Sequence, residues 1–66
     1  MVIKSNIKKL VEERGLKKSY IADKLKVSVQ QFRNYENGKS LIPIDKAFIL
    51  AELLRVKVDD LYEESN

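Results

Sequence analysis

Cysteine and histidine are both absent from this 66-residue chain. Without cysteine there is no disulfide framework and no thiolate metal site. Without histidine the commonest general base and the commonest metal ligand are gone. Catalysis would fall to Asp, Glu, Lys, Ser or Tyr, and a chain this short offers little pocket to hold them, so no catalytic residue, cofactor or metal is expected. Proline occurs once and glycine twice; breakers are sparse, and the chain reads as mostly helical. No apolar run approaches the roughly 18 residues that a membrane span requires. The opening "MVIKSNIKKL" lacks the apolar stretch and small-residue cleavage site of a signal peptide. The expectation is a soluble cytoplasmic protein with no membrane partner, built as one domain over residues 1–66. A chain of this size buries only about 60% of its unfolded surface.

Charge is what the chain has in quantity. Lys and Arg number 13 against 10 Asp and Glu. Four of the acids, Asp59, Asp60, Glu63 and Glu64, lie at the C-terminal end, leaving 13 cations against 6 acids before residue 59. A basic body with an acidic tail suits an anionic partner, nucleic acid first.

Helical spacing recurs along the chain, and no alternating strand pattern persists. Ile7, Leu10 and Val11 share one helical face, with Gly15 as the stop. Ile21, Ala22 and Leu25 mark a short second helix. Ser28 is a good N-cap for a third, which turns Phe32 and Tyr35 inward and ends at "NGK". Ile44, Ala47, Leu50, Ala51 and Leu54 mark a fourth, opened by Pro43 and Asp45. A last helical turn or two would hold Leu61. The expectation is an all-α, compact five-helix domain. Only a three- or four-residue turn fits between Leu25 and the third helix, the signature of a helix-turn-helix unit, placed at about residues 18–37.

Three stretches in this order, "IKKLVEERGLKKSYIADKLKVS", "YENGKS" and "ILAELLRVKVDDLY", resemble the lambda-repressor/Cro-like (XRE) helix-turn-helix family. The resemblance covers about residues 5–62 without a gap. It implies a five-helical fold whose third helix enters the major groove of duplex DNA, a homodimer on a near-palindromic operator, and transcriptional regulation, most often repression. It also implies a bacterial, phage or mobile-element origin. The chain departs from the family pattern at several positions. Lys17 and Lys18 stand where Ser or Thr and Gln are usual. Lys26 and Arg55 replace two helix-ending glycines, and Lys57 replaces a cap serine. Val11 replaces an arginine that commonly pairs with the glutamate of "YENGK", so Glu36 must find Arg14 or another base, or stay solvated. Leu41 and Ile42 replace charges in the loop after "NGK".

With about 100° of turn per residue, Gln30, Arg33, Asn34 and Asn37 face away from Phe32 and Tyr35. Gln offers a paired donor and acceptor matching adenine, and Arg matches guanine. Val29, near the helix start, suits a thymine methyl. Val29, Gln30, Arg33 and Asn34 are therefore the expected base readers, against the plain alternative of a solvated helix face. Lys17, Lys18, Ser28, Asn37 and Lys39 are the expected phosphate contacts. Tyr20 suits either a phosphate or half-buried packing. Ile49, Leu53, Leu61 and Tyr62 are the expected dimer or partner surface. The apolar "SLIP" loop and the acidic end leave open a second class of function: a protein-interaction module such as an antitoxin, anti-repressor or co-regulator.

Overall fold

The computed structural model describes residues 2–65. Its elements run β1 (Val2–Ser5), α1 (Ile7–Arg14), α2 (Lys18–Leu25), α3 (Val29–Asn37), α4 (Ile44–Leu54), a 3-10 turn (Val58–Leu61) and β2 (Tyr62–Ser65). Apolar residues at helical spacing drive the four α-helices together. Ile7 and Val11, Ile21 and Leu25, Phe32 and Tyr35, and Leu50 and Leu54 meet in one core, and burying each such side chain stabilises the fold by about 1.5–3 kcal/mol.

The chain is not five-helical. The segment expected to form a fifth helix makes one 3-10 turn, closed by the Asp60 N–H donating to the Lys57 carbonyl at 2.9 Å and the Lys57 N–H donating to Asp60 Oδ2 at 3.0 Å. Asp60 thus bonds back to the start of the turn, the half of a capping box that does not depend on a serine. The backbone then extends into β2, which pairs antiparallel with β1: Val2 opposite Ser65, Ile3 opposite Glu64, Lys4 opposite Glu63, Ser5 opposite Tyr62. The fold is mostly helical with a small two-stranded ribbon. Neither strand is long enough to announce itself by alternation, and each exists because its partner arrives from the other end of the chain. The Lys4–Glu63 ion pair at 3.8 Å lies on this ribbon, with both side chains more than half exposed, so it contributes little.

All four α-helices end on a left-handed residue: Gly15, Lys26, Gly38 and Arg55. Lys26 at φ 59° and Arg55 at φ 57° are the non-glycine cases, each carrying a strain of about 1–2 kcal/mol. The turns form all the same because the following valines close them. The Val27 N–H reaches the Ala22 carbonyl and the Val56 N–H the Ala51 carbonyl, both at 3.0 Å. Val27 and Val56 also pack against the core, the apolar contact that accompanies this type of helix stop.

Two expectations about the apolar faces need correction. Leu61, expected on a partner surface, is fully buried, while Ile44, expected on the buried face of α4, is 66% exposed. Leu61 belongs to the 3-10 turn that packs under α4, so the core takes it. Ile44 opens α4 before Ala47, where the covered stripe begins.

Candidate nucleic-acid interface

α2 and α3 are joined by Lys26, Val27 and Ser28, so the geometry of α3 is fixed by a very short turn. Ser28 Oγ accepts the Gln31 N–H at 3.0 Å, a side-chain N-cap that sets where α3 starts. Phe32, Tyr35 and Glu36 are buried; Gln30, Arg33 and Asn37 are exposed. Val29 is half-buried and packs against the core, and Asn34 is half-buried. Asn34 braces the two glutamines: it accepts from Gln30 Nε2 at 3.5 Å and donates to Gln31 Oε1 at 3.4 Å. The donor-acceptor edges of Gln30 and the guanidinium of Arg33 thus stand together on the outer side of α3.

At the end of α3, Gly38 at φ 78° turns the chain. The Lys39 and Ser40 N–H groups both reach the Asn34 carbonyl, at 2.9 and 3.2 Å. Lys39 and Lys17 are exposed. Lys24 Nζ sits 5.5 Å from the centre of the Tyr20 ring, and Tyr20 is 46% exposed; this aromatic lies on the surface, one turn from its cation on the same helix.

Lys18 is engaged otherwise than the sequence suggests. Its Nζ lies 3.2 Å from Oε1 of Glu36, whose side chain is only 2% exposed. Glu36 therefore takes its counterion from the first residue of α2, not from Arg14, which is exposed at the end of α1. Val11 is buried in the core. The other oxygen, Oε2, is buried with no hydrogen-bond partner among the described residues.

The expected partner surface resolves into unlike parts. Ile49 is 43% exposed and Leu53 is half-buried. Tyr62 is half-buried and its hydroxyl accepts the Ile42 N–H at 3.0 Å. Exposed apolar residues on α4 that sequence reasoning missed are Ile44 and Phe48, at 66% and 62%; Leu41 of the apolar loop it did single out is 66% exposed. Ile44 and Phe48 share a groove with Val56 and Val58 that is rimmed by Glu52, Lys57 and Asp59. Phe48 lies off the stripe by spacing, whereas Ile44 shares the face of Ala47 and Ala51, so spacing alone gave no signal for it. Among the described residues no cluster of acidic side chains has metal-ligand spacing, and no helix is long and apolar enough to cross a membrane.

A family model described as helix-turn-helix matches residues 7–61. No curated protein matches the chain.

Proposed function

Because the chain belongs to the lambda-repressor/Cro-like (XRE) helix-turn-helix family, and is thereby a DNA-binding regulator, we propose that it reads duplex DNA with α3 and represses transcription. The observation that carries this reading is the outward pairing of Gln30 and Arg33 on a helix anchored by Phe32 and Tyr35. Gln30 and Arg33 supply bidentate contacts to adenine and guanine, and Val29 and Asn34 complete the base-reading edge. Lys17, Asn37 and Lys39 contact phosphates, as do the Ser28 end of α3 and the open side of Lys18. A net basic surface supplies the salt-dependent attraction.

The working form is a homodimer on a near-palindromic operator, which spaces the two α3 helices about 34 Å apart. The apolar groove at Ile44 and Phe48, with the exposed Ile49 elsewhere on the same helix, supplies the surface that joins the copies. A phenylalanine 62% exposed beside two valines is the kind of patch that marks an interface. The same groove favours the second reading, a protein-interaction module whose main contact is another protein.

Gel-shift with the DNA flanking its own gene, at two salt concentrations, separates the two. Salt-sensitive, sequence-selective retention upholds the first reading. No retention, together with a stoichiometric protein partner, replaces it with the second.

A further inference from the structure

The segment 35–42 carries the last turn of α3, the Gly38 turn and the loop that leads to α4. Asn37, Gly38, Lys39 and Leu41 are exposed along it, between the buried Tyr35 and Glu36 at one end and the buried Ile42 at the other. Its internal hydrogen bonds return to Asn34 and Tyr35; none of them reaches the Ile42 N–H, although the Ile42 side chain is packed in the core. Besides core packing and the Lys18–Glu36 ion pair, two hydrogen bonds from the ribbon reach its two ends. The Ser5 hydroxyl donates to the Tyr35 carbonyl at 3.0 Å, and the Tyr62 hydroxyl accepts the Ile42 N–H at 3.0 Å. Ser5 and Tyr62 are directly opposite each other in the ribbon. One rung of β1–β2 therefore brackets the whole segment. The ribbon is itself fixed to the body, since the Asn6 N–H donates to the carbonyl of the fully buried Leu61 at 2.9 Å.

We propose that the β1–β2 ribbon is a positioning device for DNA binding, with Ser5 and Tyr62 as the positioning residues that hold Asn37 and Lys39 in their phosphate-contacting geometry. This rests on the DNA reading above. A loop fixed at both ends before DNA arrives loses less freedom on binding, and the gain falls on backbone contacts rather than on base choice. The hydrogen bonds from Ser5 and Tyr62 go to Tyr35 and Ile42, not to Gln30 or Arg33, so base preference is not their concern.

The decisive comparison is Tyr62→Phe against the wild type, by fluorescence anisotropy on a duplex selected by the wild type. Salt is varied, single base-pair variants are included, and the temperature is kept well below both melting points. Ser5→Ala is the companion variant and Ser5→Thr, which keeps the hydroxyl, its rescue. Expected for Tyr62→Phe and Ser5→Ala is an affinity lower by about tenfold. The slope of log affinity against log salt should shrink by about 0.9, one phosphate contact. Discrimination among base-pair variants should be unchanged, and the Ile42 amide should exchange faster in Tyr62→Phe. Wild-type affinity and slope despite a faster Ile42 amide overturn the proposal. So does a loss of base discrimination with the slope intact, because the ribbon would then act on α3 as a whole. A wild type that selects no duplex fails the DNA reading itself, a result distinct from a loss confined to the variants.

Discussion

Lys18, the first residue of α2, and Glu36, near the end of α3, form an ion pair at 3.2 Å in which the lysine is 36% exposed and the glutamate only 2%. The pair ties the two helices of the helix-turn-helix across their far ends. Cutting it by Lys18→Met strands a buried carboxylate that already has one oxygen unpaired. The loss should be about 1–3 kcal/mol, below the value for a fully buried pair because water reaches the lysine. Lys18→Met with Glu36→Gln should recover most of it. Urea unfolding measures both, and equal stability of the single variant and the wild type would show that the pair contributes nothing.

The same pair bears on DNA. In a Glu36→Gln background the carboxylate no longer competes for the ammonium, so adding Lys18→Met should lower the salt slope by about 0.9 if Lys18 meets a phosphate. An unchanged slope assigns Lys18 to Glu36 alone.

Lys26→Gly and Arg55→Gly should each stabilise the protein. Relief of about 1–2 kcal/mol of left-handed strain is offset by the greater freedom of glycine in the unfolded chain, roughly 0.5–1 kcal/mol. The net gain of about 0.5–1 kcal/mol corresponds to a melting point higher by roughly 2–8 °C. Lys26→Ala, which keeps a Cβ, is the control and should give no such gain.

Phe48→Lys should leave folding nearly intact, because the ring is 62% exposed, yet shift any dimer toward monomer and weaken operator binding. Sedimentation across a concentration series reads this directly. A dimer of undiminished strength would move the interface elsewhere on the molecule.

Gln30→Ala should cost about 1–3 kcal/mol at a cognate site and relax preference at one base position. Equal weakening on every sequence would remove Gln30 from the readers.

Periodicity carried the four α-helices because each depends on neighbours three and four residues away. Ser28 announced the start of α3, and Lys26 and Arg55 stood at helix ends where a left-handed residue was needed. The ribbon was not legible. Val2–Ser5 and Tyr62–Ser65 are four residues each, and their pairing bridges almost the whole chain. Leu61 and Ile44 were misplaced for a related reason. A sequence marks both as apolar, but which one another element covers depends on where that element ends up.

Local chemistry thus determined the helices, their caps, the short turn between α2 and α3, and the polar outer side of α3. These follow from side chains and backbone within a few residues of one another. Tertiary structure decided the rest: the replacement of a fifth helix by a ribbon, the choice of Lys18 as the counterion of Glu36, and the bracketing of the loop by Ser5 and Tyr62. Each of those joins residues far apart in the chain. Its energy comes from burial or hydrogen bonding that exists only once the core has closed.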